Sequence, residues 1–151
     1  MKILMVGLGG IGQRHARNLR ALLGPSLDLL AYRVRGLSEV VTPSLTLDAS
    51  KSIEKEYLVR VFKSLEAALA ESPDIAFICN PSSLHVPSAL ACVAAGCDIF
   101  IEKPLSHSLK DVDRLIEAVR SKHRVAMVGR QRSQIIEQSG WQISRWVSFL
   151  D

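Results

Sequence analysis

Cysteine is scarce in this 151-residue chain: Cys79, Cys92 and Cys97 are odd in number, lie in apolar surroundings and lack C-x-x-C spacing. That excludes a disulfide framework, points to no metal site, and predicts a reducing, cytoplasmic setting. Long hydrophobic runs are missing too. No stretch approaches the roughly 20 apolar residues that cross a bilayer, and the apolar start "MKILMVGLGGIG" is too short for a secretory leader and runs straight into Gln13, Arg14 and His15. Charge of one sign is nowhere concentrated. The formal net charge is +4, but 19 Lys and Arg are scattered among 15 acids, which leaves room for one anion site and excludes a nucleic-acid footprint. Repeats and low-complexity tracts are absent.

What is present is an apolar content of 48% and a length suited to one well-buried globular domain. Six apolar runs of strand length recur: "KILMVG" (2–7), "LDLLAY" (27–32), "LVRVF" (58–62), "DIAFIC" (74–79), "CDIFIE" (97–102) and "RVAMVG" (124–129). Segments of helical period separate them, so the expected architecture is α/β, a Rossmann-type doubly wound parallel sheet of about six strands. Continuous apolar strands suit a sheet covered by helices on both faces. Helix starts are signalled by Ser64 before "LEAALAES" and by Ser108 with Asp111, an S-x-x-D capping box before a stripe of Val112, Leu115, Ile116 and Val119. Residues 33–57 are looser, with Pro43, Ser44 and Ser50 marking a loop and "SIEKEY" a short helix.

The first strand leads into Gly7-Leu8-Gly9-Gly10-Ile11-Gly12, and a helical segment follows with Ile11, His15, Leu19 and Leu22 on one face. In a strand–turn–helix setting, the first glycine permits the sharp turn, the second admits a pyrophosphate to the main chain, and the third lets helix and sheet pack closely. The helix N-terminus offers unpaired N–H groups and a partial positive charge. A dinucleotide is the expected ligand. An NAD site usually carries Asp or Glu at the end of the second strand, whereas this chain reads Tyr32-Arg33-Val34-Arg35. Arg33 and Arg35 can pair with a 2′-phosphate or stack on adenine, so NADP is favoured over NAD. The missing acid also argues against a methyltransferase.

Ligands of open parallel sheets lie beyond the carboxyl ends of the strands, where two further stretches stand out. "CNPSSLH" (79–85) follows the fourth strand, with Ser82 or Ser83 as a helix cap and His85 in the first turn; the plain reading is a cap and a surface histidine. "IEKPLS" (101–106) follows the fifth, where Lys103, between Glu102 and Pro104, could hold a substrate hydroxyl or form a surface ion pair.

"GLGGIGQRH", "CNPSSLH" and "EKPLS", in this order and spacing, closely resemble the N-terminal half of the Gfo/Idh/MocA oxidoreductases over residues 1–129. The resemblance implies pyrophosphate binding by Gly7, Gly9, Gly10 and Gly12 with Ile11 and Gln13 beside them. It places Asn80 and His85 near the nicotinamide half, Glu102 against the cofactor ribose or amide, and Lys103 near nicotinamide and substrate for proton handling. It implies hydride transfer at a sugar, cyclitol or nucleotide-sugar hydroxyl, and a second, substrate-binding domain that the remaining residues do not resemble; without that domain, uncovered apolar surface predicts a homo-oligomer.

Residues 130–151 form an atypical tail holding both tryptophans, Trp141 and Trp146. A truncated or frame-shifted reading is one expectation. An adapted helix is the other, with Ile136, Ile143, Val147 and Leu150 on one face and Gly140 against an unbroken run. If the substrate domain is absent, the alternative is a non-catalytic dinucleotide-binding or oligomerising module.

Overall fold

The computed structural model describes residues 1–34, 39–42, 44 and 46–129; Arg35, Pro43 and the tail with its expected helical face lie outside them. The elements run β1 (Lys2–Val6), α1 (Gly10–Leu23), β2 (Asp28–Tyr32), β3 (Val40–Val41), β4 (Leu47–Asp48), α2 (Ile53–Glu56), β5 (Val59–Phe62), α3 (Leu65–Leu69), β6 (Ile75–Ile78), α4 (His85–Ala94), β7 (Asp98–Ile101), α5 (Val112–Ser121) and β8 (Ala126–Val128). All six expected strands pair in parallel, in the order β5-β2-β1-β6-β7-β8. The chain winds outward from β1 through β2 to β5, then returns to the far side of β1 to place β6. The order therefore reverses between β1 and β6, and the loops after these two strands diverge to leave a crevice.

Alternation along each strand divides the core into two layers. Leu4, Val6, Leu30, Ala76, Ile78, Ile99 and Ile101 face α3, α4 and α5. Ile3, Met5, Leu29, Ala31, Val59 and Phe77 face α1 and α2. Burying one such Leu or Ile side chain contributes about 1.5–3 kcal/mol, so two covered faces hold the strands more firmly than parallel pairing alone.

Several local expectations change in the folded chain. The packed side of α1 is Gly12, Gln13 and Ala16, with Leu19 and Leu23 beside them, while Ile11 and Leu22 are 39% and 81% exposed. Small residues win that face because the helix lies almost on the strand-end backbone. The Ser108–Asp111 box does not form: α5 starts three residues later, with Asp111 at its N-cap in a left-handed conformation (φ 60°) and no side-chain cap bond. It rests on its neighbours through Val112, Leu115, Ala118 and Val119, which leaves Ile116 exposed. Ser64 does cap α3, its Oγ accepting from the Ala67 N–H at 3.1 Å. Neither Ser82 nor Ser83 caps α4 with its side chain; a 3-10 turn over Ser82–Leu84 precedes the helix, and the Leu84 N–H donates to the Pro81 carbonyl instead. Part of the expected 33–57 loop is an antiparallel hairpin, β3 with β4. Among the described residues no helix is long and apolar enough to cross a membrane.

Candidate functional site

The crevice between β1 and β6 is a cleft of about 830 Å³, whose walls include Gly7, Gly9, Tyr32, Arg33, Asn80 and Pro81. That size suits the nucleotide part of a cofactor. Its floor is the glycine turn. Gly7 has φ +102°, and a Cβ there would stand 2.8 Å from the Asn80 nitrogen and 2.9 Å from the Cys79 carbonyl, so the β1 and β6 loops are in backbone contact. A Cβ on Gly12 would come within 2.2 Å of the Gly7 carbonyl oxygen, which is why α1 can start so close to the strand.

Gly9 and Gly10 are different, because a Cβ on either would meet nothing within 4 Å. Gly9 is the N-cap of α1, no side chain caps the helix, and its first turn has no acidic residue. The orphan N–H groups of a 14-residue helix thus face the open side of the turn without an anion of their own. Such a cradle fits a diphosphate.

Gln13 follows Gly12 directly, in the first turn of α1. Its side chain is 2% exposed and turned inward: Nε2 donates to the carbonyls of Leu8 (3.2 Å) and Glu39 (3.1 Å), and Oε1 accepts from the Val41 N–H (2.7 Å) and the Tyr57 hydroxyl (3.4 Å). All four hydrogen-bonding positions of the amide are used. Gln13 therefore supports the glycine turn from below, tying it to β3 and α2.

At the β6 end, the Asn80 Nδ2 donates to Ser88 Oγ at 2.8 Å, while its Oδ1 is buried without a partner. A ligand donor there would satisfy it. His85 is not the surface residue of the plain reading; it is 2% exposed. Its Nε2 lies 2.7 Å from the Asn80 carbonyl oxygen and its Nδ1 2.9 Å from that of Pro104. The ring spans the loops after β6 and β7, with one nitrogen on each. Cys79, beside the cleft, has its thiol pushed up to about 12 by burial and, less, by Glu102, so it is no nucleophile near neutral pH.

Beyond β7, the carboxylate of Glu102 turns back into the protein. Oε1 lies 2.7 Å from His15 Nε2 and Oε2 accepts the Lys103 N–H at 3.0 Å. The His15 ring packs on Phe77 and Phe100, with centroids 5.6 and 5.2 Å away. Helix α1 is thereby joined to the strand end that presents Lys103, which stands exposed ahead of a cis peptide bond to Pro104. Gly7, Gly9, Arg33 and Asn80 thus share one cleft, Lys103 and Glu102 occupy the neighbouring strand end, Gln13 braces the glycine turn, and His85 links the loops after β6 and β7.

Sequence reasoning missed Glu54. It lies on α2, where Oε1 pairs with the Arg33 guanidinium and Oε2 accepts from the Ser52 hydroxyl at 2.7 Å. The Ser52 hydrogen bond first, then a hydrogen bond from its own main chain and, least, the charge of Arg33 hold its carboxyl below the usual carboxylate range. No signal in the sequence couples position 54 to position 33.

A six-stranded parallel sheet, wound both ways from β1 and bearing a glycine turn at its switch point, is a Rossmann fold of the dinucleotide-binding class. The chain belongs to the Gfo/Idh/MocA oxidoreductase family: residues 1–130 match that family's NAD-binding Rossmann fold. Myo-inositol 2-dehydrogenase of Thermotoga maritima is 32% identical over 138 residues, 87% of this chain and 36% of that protein. GenD2 from gentamicin A biosynthesis, solved in complex with NAD, superposes with a TM-score of 0.67 at 26% identity, over 85% of this chain and 34% of that one. The WlbA dehydrogenase from Bordetella pertussis, solved with NADH and UDP-GlcNAcA, shares the fold at a TM-score of 0.70 and 22% identity, with 90% and 39% covered. The chain spans little more than a third of the length of these relatives.

Proposed function

We propose that residues 1–129 form the cofactor-binding half of a cytoplasmic, oligomeric NAD(P)-dependent oxidoreductase acting on a hydroxyl of a sugar, cyclitol or nucleotide-linked sugar. The observation that carries this reading is the contrast within one turn: Gly7 and Gly12 are pressed against backbone, while Gly9, between them, faces open space at an uncapped helix N-terminus. Those N–H groups bind the diphosphate. Arg33 reaches the adenosine end, and its guanidinium favours the form bearing a 2′-phosphate. Asn80 offers its unpartnered Oδ1 to a donor on the ligand. The nicotinamide, when bound, supplies the hydride chemistry. Lys103 orients the substrate hydroxyl and exchanges its proton, and Glu102, held by His15, fixes the main chain at that lysine. Turnover requires a further wall to exclude water from the substrate, so residues 1–129 by themselves are expected to bind cofactor without catalysing.

Titration of NADH and NADPH, followed by their fluorescence, tests the reading. Saturable binding is expected, and Gly9→Asp should abolish it without lowering the melting temperature, since an N-cap aspartate stabilises a helix while its charge takes the phosphate's place. A folded protein that binds neither cofactor at millimolar concentration would overturn the proposal. Binding without turnover in the full-length protein, across a panel of sugars and cyclitols, would favour a non-catalytic dinucleotide-binding module instead.

A further inference from the structure

No acid follows β2 in the sequence, yet the fold brings one to that strand end. We propose that Glu54 is a specificity-determining residue for the dinucleotide: by holding the Arg33 guanidinium it weakens the attraction for a 2′-phosphate and narrows the preference for the phosphorylated cofactor. This rests on the reading of the cleft as a nicotinamide dinucleotide site.

Arg33 borders the cleft, and its side chain is only 15% exposed, so its guanidinium has little room to reorient. Glu54 has both carboxylate oxygens engaged, one on Arg33 and one on Ser52. The helix that carries it is anchored by Ile53, fully buried, and Tyr57, 3% exposed. The backbone that carries Glu54 is therefore held in place, and its side chain, 40% exposed, is kept on Arg33 by the two contacts its oxygens make. Of the two lysines on this segment, Lys51 is taken by Glu56 at 3.0 Å and Lys55 is exposed to solvent, which screens its charge. A 2′-phosphate approaching Arg33 meets a cation already paired, with a like charge at ion-pair distance behind it. A ribose with free hydroxyls carries no such charge and feels little of this repulsion.

The test measures dissociation constants of NADH and NADPH for the full 151-residue chain, with thermal melts to confirm that each variant is folded. Glu54→Gln should tighten NADPH roughly fivefold, the upper end for a part-exposed ion pair, and change NADH by less than about twofold. Ser52→Ala, which frees the carboxylate without removing it, should move the ratio the same way by less, and serves if Glu54→Gln fails to fold. The gain should shrink at high salt and vanish in an Arg33→Gln background. Glu56→Gln, one of the same helix's other charges, should leave both constants alone. An unmoved NADPH/NADH ratio, a gain that survives without Arg33, or an equal gain from Glu56→Gln would overturn the role of Glu54. A folded wild-type chain that binds neither cofactor would remove the underlying reading itself, a different outcome from binding with an unmoved ratio.

Discussion

At the β1 end of the cleft the wall is main chain; at the β2 end it is a pair of charged side chains. The glycine turn works through what its residues lack. Two of its glycines have backbone where a Cβ would go, at 2.8 and 2.2 Å, and a third leaves the helix N-terminus open. The Arg33–Glu54 end works through what its residues carry, a guanidinium and a carboxylate 21 positions apart in sequence. The glycine end is rigid and intolerant of substitution, because packed backbone cannot yield. The other is tunable, because a part-exposed ion pair contributes little to stability and much to the local charge.

The strongest way to break that comparison is Gly12→Ala. A methyl placed 2.2 Å from the Gly7 carbonyl forces α1 away from the sheet, and overpacking against backbone is expected to cost about 3 kcal/mol or more. Urea denaturation should show a large drop in midpoint with an unchanged slope; near-wild-type stability would mean the turn is softer than its geometry says. Gln13→Leu comes next. It leaves the Val41 N–H and the Leu8 and Glu39 carbonyls without their partner under the turn, at a cost of about 1–3 kcal/mol. Chemical denaturation measures it, and a loss under about 0.5 kcal/mol would show that the amide is replaceable.

The smallest effect is expected from Arg33→Gln, at most about 1 kcal/mol of stability, and its pH dependence sharpens the contrast. Glu54 is held below the ordinary carboxyl value of 4.5, so the folded state gains from its ionisation above that value and loses the gain as pH falls through the lower, folded value. The stability difference between wild type and Arg33→Gln should therefore be full near neutrality and fade in acid below pH 4.5. A difference that grows in acid would contradict the ion pair.

Much of the fold was legible because its signals are local. The six strands fell within a residue or two of their expected bounds, and the glycine turn lay where strand, turn and helix meet, since apolar runs and absent side chains act on the chain where they stand. The misplaced expectations were about direction. Ile11 and Leu22 share a helical face by count, but Gly12 and Ala16 set which face meets the sheet, through a close approach that periodicity does not encode. His85 read as a surface residue because its two carbonyl partners belong to different loops, one of them 19 positions away. Gln13 and Glu102 stand beside the turn and the strand end by position alone, but their contacts with Glu39, Val41 and His15 are invisible in one dimension.

The alternation of strands and helices, the glycine turn and the strand ends at which Asn80 and Lys103 stand are written locally in the chain, because periodicity, φ freedom and punctuation are properties of neighbouring residues. It takes the folded chain to bring Glu54 to Arg33, to set Gln13 beneath the turn, and to span two loops with His85. Those pairings depend on the parallel order of the sheet, which gathers the carboxyl ends of distant strands along one edge and brings together side chains that the chain itself keeps far apart.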